Sequence, residues 1–228
     1  MPILSSLSFL GTHFSPQPSD NWYDDASDAH HAVTLNGSVT QSDEGGGVKA
    51  ALFDGGTGYL NISTPLAFNN NPFTVELFFN PTDMNGSLWG QDNGFGNFSK
   101  LIAYGNIVIE VHGTSYRIDL SAGSVIANSW NHMAVVRDDS NMVALYVNGI
   151  NVSSNTFSDD LGSITQPFNI GWAGESGIGK FNGKIAAFRV VVGSALYTSN
   201  FSVPTTLPTA VAGTQLLLNF GATAVPTV

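Results

Sequence analysis

From Trp130 to Gly149 the chain reads WNHMAVVRDDSNMVALYVNG. Two runs rich in β-branched and apolar residues flank a polar turn, and the second ends on Asn148-Gly149, the dipeptide that best tolerates positive φ at both centres of a tight turn. This is an antiparallel hairpin, and it commits the chain to β structure. Similar short apolar runs, separated by glycine- and asparagine-rich punctuation, recur along the 228 residues, which include 25 Gly. They predict strands near Val48–Asp54, Tyr59–Ser63, Phe73–Asn80, Lys100–Tyr104, Ile107–His112, Tyr116–Ser121, Trp130–Arg137, Met142–Val147, Asn169–Trp172 and Lys184–Val192. Leu4–Leu10 and Thr214–Phe220 are two more apolar runs, expected to lie side by side and close a single domain over residues 1–228. Between them, residues 194–213 carry Pro204 and Pro208 with no clean period and should cross the sandwich as an irregular arm.

The net charge of −10 rests on only seven Lys plus Arg, so no basic stripe exists to neutralise phosphates, and nucleic acid and anionic membranes are not expected partners. There is no cysteine, hence no disulfide framework and no thiolate metal site. The N-terminal MPILSSLSFLGTHF lacks a basic region before its apolar residues, and no run approaches membrane-spanning length. The expectation is a chain with neither secretion signal nor transmembrane span.

Trp130-Asn131-His132-x-Ala-Val-Val-Arg137, Leu145-Tyr146-Val147-Asn148-Gly149, Gly183-Lys184-Ile185-x-x-Phe188-Arg189-Val190 and Ala195-Leu196-Tyr197-Thr198-x-x-Phe201 resemble the laminin-G-like, concanavalin A-type jelly roll. The version it is most similar to occurs in bacteriophage tail and virion proteins. Upstream, Tyr23-Asp24-Asp25-Ala26-Ser27 and Ala51-Leu52-Phe53-Asp54-Gly55 fall where such domains carry their early strands. The resemblance implies an all-β, two-sheet antiparallel sandwich. Its functional implication is a non-enzymatic virion surface protein, in capsid decoration or in a tail, made in the host cytoplasm. Other virion proteins would be its partners, with host-surface glycans and self-association as further expected contacts. A dedicated lectin is the alternative and a glycoside hydrolase the third reading, because one fold hosts many functions.

Candidate residues follow from those readings. With Gly113-Thr114 as the turn, the pair around residues 106–121 places Glu110, His112, Ser115, Arg117 and Asp119 on one face, with Glu110 opposite Arg117. That face reads either as a sugar-binding surface or as a solvated one. Two loops combine aromatic rings with polar neighbours, the pattern that stacks on a sugar and binds its hydroxyls. One carries Trp89, Gln91, Asp92, Asn93 and Phe95, the other Trp172 and Glu175. Glycoside hydrolysis needs two carboxylates about 5–10 Å apart. The four Glu are residues 44, 76, 110 and 175, and no strand presents a pair, leaving a cross-strand Glu76–Glu110 pair as the remaining arrangement. Asp24, Asp25 and Asp28, or Asp138 and Asp139, could ligate Ca²⁺, but neither cluster follows a calcium-loop pattern. No catalytic residue, cofactor or metal is expected.

Overall fold

The computed structural model describes residues 21–92, 100–104, 108–113, 117–121, 125–161, 164–174 and 177–228, so the strand expected at Leu4–Leu10 lies outside the described residues. Among the described residues there is no helix, and two antiparallel sheets face one another. Sheet A runs in the order β1 (Val33–Asn36), β4 (Tyr59–Ile62), β13 (Phe168–Ile170), β6 (Gly86–Asp92), β7 (Lys100–Tyr104), β8 (Val108–His112) and β9 (Arg117–Ser121). A two-residue strand β14 (Gly179–Lys180) lies parallel to β6 at Gly86 and Ser87. Sheet B runs β12 (Ile150–Thr156), β11 (Met142–Val147), β10 (Asn131–Arg137), β5 (Phe73–Pro81), β15 (Asn182–Val192), β3 (Val48–Asp54) and β2 (Val39–Gly45). The far half of β15 pairs with β16 (Thr214–Leu218).

Period-two alternation fills the space between the sheets. Leu60, Ile62, Phe168, Ile170, Ile109 and Val111 point inward from sheet A, and Phe73, Val75, Leu77, Phe79, Phe188 and Val190 from sheet B. Phe168 bridges the layers, stacked on Trp89 at 5.9 Å and edge-on to Phe188 at 5.9 Å. The Asn148-Gly149 turn joins β11 to β12 with φ of 51° and 79°, as a type I′ hairpin demands.

Strand β5 is buried on both faces, which alternation alone would not give. The reason is the arm at residues 194–213, which crosses the outer face of sheet B without forming a strand. Tyr197 stacks on Phe201 at 3.7 Å, Phe201 packs on Tyr146, and Leu196 N–H donates to Thr74 Oγ1. Trp130, expected to open a core strand, instead precedes β10 and packs with Phe78, Ala186 and Leu207 on this same outer face.

The ends of the described chain are tied by Asp25, whose Oδ1 accepts from Ser27 N–H and Leu217 N–H and whose Oδ2 accepts from Ser27 Oγ and His31 N–H. Ala26 N–H adds a bond to Leu217 O. The carboxylate thus anchors β16 and is committed to amides and a hydroxyl rather than arranged as a cation ligand.

Candidate functional site

The outer face of sheet A carries polar side chains at both ends, and the two ends differ. At the β8–β9 end the connection is four residues, 113–116, and Glu110 stands opposite Asp119 and His112 opposite Arg117. The expected register with Glu110 opposite Arg117 is therefore off by two. A two-residue slip keeps every side chain on its face, so the same polar set results. Arg117 grips Asp119 through Nε at 3.0 Å and Nη2 at 2.9 Å, and its Nη1 lies 3.1 Å from Glu110 Oε1. His112 Nδ1 is 3.8 Å from the same oxygen. Ser115 lies outside the described residues. These charges satisfy one another, and the Arg117–Asp119 pair, each side chain 44% exposed, is of the kind that contributes under about 1 kcal/mol.

The opposite end carries a different chemistry. On β4, Leu60 and Ile62 turn inward, so Tyr59 and Asn61 turn outward. Asn169 on β13 sits in register with Asn61, and Asn61 Nδ2 donates to Asn169 Oδ1 at 2.8 Å. That bond leaves Asn61 Oδ1 and Asn169 Nδ2 unengaged, although Asn169 is only 5% exposed, with Gly174 close to its Nδ2. The next register position is Gly90, which adds no side chain beside Asn169.

Beyond β13 the chain reverses at Gly171, with φ of +84° and Phe53 packed where a Cβ would be. The reversal lays the half-buried Trp172 edge-on to Tyr59, with ring centroids 5.0 Å apart. Strand β14 then carries Lys180 Nζ to 5.0 Å from the Trp172 ring and 5.7 Å from that of Tyr59. This needs glycine at Gly86, where any Cβ would collide with the Lys180 carbonyl. The result is an aromatic pair, two amides and a cation on one end of a sheet.

Sequence reasoning found part of this. Trp172 is in the site, but Trp89 is not on a loop: it lies on β6, fully buried in the core, because Ser87–Asp92 continues as a strand with Trp89 on the inward side. Gln91 shares that inward side and is also fully buried. Asp92 is buried at the far end of β6 from Lys180. Asn93, Phe95 and Glu175 lie outside the described residues. Tyr59, Asn61, Asn169 and Lys180 were missed. The alternation Tyr59-Leu60-Asn61-Ile62 held the signal for the first two, whereas nothing local announces that Lys180 returns beside β6.

The cross-strand carboxylate pair does not form. Glu110 is on the outer face of sheet A and Glu76 on that of sheet B, with the core between them. Glu76 Oε1 accepts from Arg189 Nε at 2.7 Å and is also paired with Arg189 Nη2; Glu76 Oε2 accepts from Tyr197 OH at 2.8 Å and lies 3.4 Å from His132 Nε2. Burial alone would raise the Glu76 pKa, but the His132 contact, the Arg189 charge and the Tyr197 bond outweigh it and hold the carboxyl below its ordinary range. A cavity of about 200 Å³ lies beside this group, roofed by Pro204, Leu207 and Pro208 of the arm. Asp138 caps its own turn, accepting from Ser140 N–H, Ser140 Oγ and Met142 N–H. Among the described residues no group of three or more His, Asp or Glu is placed to hold a metal.

Two antiparallel sheets packed face to face make a jelly-roll-type β-sandwich. The chain belongs to the concanavalin A-like lectin/glucanases superfamily, whose laminin-G-type model matches residues 54–196. Among solved structures it is similar to domain 4 of AbnA, a GH43 extracellular arabinanase from Geobacillus stearothermophilus in complex with arabinotriose, at 20% identity and TM-score 0.58 over 74% of this chain and 84% of that one. It is also similar to the binding domain of botulinum neurotoxin DC in complex with SialylT, at 12% identity and TM-score 0.56 over 76% of this chain and 46% of the other. The same binding domain in complex with rat synaptotagmin II matches at 14% identity and TM-score 0.57, over 79% and 48%. The chain spans about half the length of these toxin domains. No curated protein matches the sequence.

Proposed function

We propose that this protein is a non-catalytic carbohydrate-binding module whose site is the Trp172–Tyr59 platform with the Asn61 and Asn169 amides. The partly exposed Trp172 ring beside two amides with unengaged polar atoms carries the reading, because a flat ring stacks on the apolar face of a sugar while amides pair with its hydroxyls. The arabinotriose and SialylT complexes of the similar domains are in keeping with it. The placement of Glu76 and Glu110 on opposite outer faces, each engaged by an arginine, supports the absence of glycosidase chemistry.

The setting we propose is a virion surface, in a capsid decoration or a tail, where the sandwich contacts other virion proteins and presents the platform to host-surface glycans. The resemblance to phage tail and virion domains supports this, as does the edge strand β12, whose Ile150 and Val152 are 52% and 39% exposed and offer an apolar protein contact. A glycan array probed with the wild-type protein and with Trp172→Ala tests the glycan reading: binding lost in the variant supports it, and binding unaffected by the variant refutes it. Finding the chain in purified particles tests the setting.

A further inference from the structure

We infer that the platform selects glycans carrying a negatively charged substituent, a carboxylate or an ester sulfate, and that Lys180 determines this specificity; the inference rests on the glycan-binding reading above. Arg117, Lys184 and Arg189 are each paired with a carboxylate, and Arg137 donates to carbonyl oxygens. The Lys180 ammonium, like that of Lys49, makes no ion pair or hydrogen bond among the described residues, but Lys180 is half-buried and held over two aromatic rings.

In a protein of net charge −10 such a cation has many acids to choose from, and the fold keeps the described ones around it occupied or distant. Asp83, near Lys180 through β15, accepts from Asn182 Nδ2 and Asn85 N–H, and Asp54, in register with Asn182, accepts from three turn amides. Asp92 is five residues along β6 from Ser87, the register partner of Lys180. At strand rise that is about 17 Å, beyond the ~8 Å screening length at physiological salt. A ligand anion beside Trp172 therefore meets an ammonium with unused donors and, among the described residues, no competing carboxylate partner. The two aromatic faces also fix the lysine's position, which lowers the side-chain entropy lost on pairing.

The test titrates full-length protein, by calorimetry at low and at physiological salt, with pairs of oligosaccharides that differ only in the charged substituent. The pairs are uronate against methyl uronate and sulfated against unsulfated. We expect the charged member of at least one pair to bind about tenfold tighter at low salt, and the advantage to shrink with added salt. Lys180→Met should bring the pair to parity, while Lys180→Arg keeps the preference. Which pair discriminates tells carboxylate from sulfate recognition. Equal binding of charged and neutral members by wild type, with both lost in Trp172→Ala, overturns the specificity and leaves the glycan reading standing. Glycan binding that Trp172→Ala does not touch overturns both.

Discussion

Replacing Glu76 with Leu should cost the fold more than any change on its polar surfaces. The carboxylate is 2% exposed and receives Arg189 through two nitrogens, Tyr197 OH and the neighbouring His132. Removing it strands the Arg189 charge, itself only 9% exposed, and breaking one side of a buried pair costs about 3–5 kcal/mol. Glu76→Gln keeps the shape and one acceptor and should fall at the lower end, about 3 kcal/mol. The double variant Glu76→Leu/Arg189→Leu removes both charges and should recover most of the loss, giving a coupling of at least about 2 kcal/mol. Urea unfolding followed by tryptophan fluorescence measures the wild type, these three variants and Arg189→Leu, which closes the cycle. Tyr197 also fixes the arm to Glu76, so limited proteolysis within residues 194–213 should accelerate in the single variants. The acid limb gives an independent check: the folded pKa is depressed, so this stabilisation is present above the unfolded value near 4.3 and is lost as pH falls toward the folded pKa. Glu76→Gln should therefore flatten stability against pH below about 5. A single-variant loss under 1 kcal/mol, or a double variant as unstable as the summed singles, would refute the claim that this buried network holds the arm.

Trp89→Ala should destabilise by about 3–5 kcal/mol in urea while leaving sugar affinity per folded molecule unchanged, because the ring is core rather than site. Gly86→Ala should displace β14 through the Lys180 carbonyl, lowering both stability and selectivity for charged glycans in calorimetry. Asp54 accepts from the Gly58 and Gly56 amides and from Thr57, which hold its carboxyl well below the usual range. Its contribution is thus full above about pH 4 and shrinks as pH falls toward the depressed folded pKa, so Asp54→Asn should lower Tm more at pH 6 than at pH 2.

Strands whose apolar residues alternate or run together were legible: β3, β7 and β11 lie where the pattern places them. Strand β2, VTQSDEG, and strand β12, INVSSNT, were not, because both are exposed edge strands held by backbone pairing rather than by an apolar face. Strand β6 was read as a loop because Gly86, Gly90 and Asp92 look like turn residues; its pairing with β7 and β13 overrides that local preference. The same error put Trp89 in the site. Half of the platform depends on tertiary return of the chain at Gly171 and β14, which no local pattern encodes.

The most direct measurement is a crystal structure of the protein with an oligosaccharide found by array screening. A sugar ring stacked on Trp172, with hydroxyls bonded to Asn61 Oδ1 or Asn169 Nδ2, is the predicted result. A sugar seated at the Glu110–Arg117 end of sheet A, or in the cavity beneath the arm with the platform empty, would contradict the account.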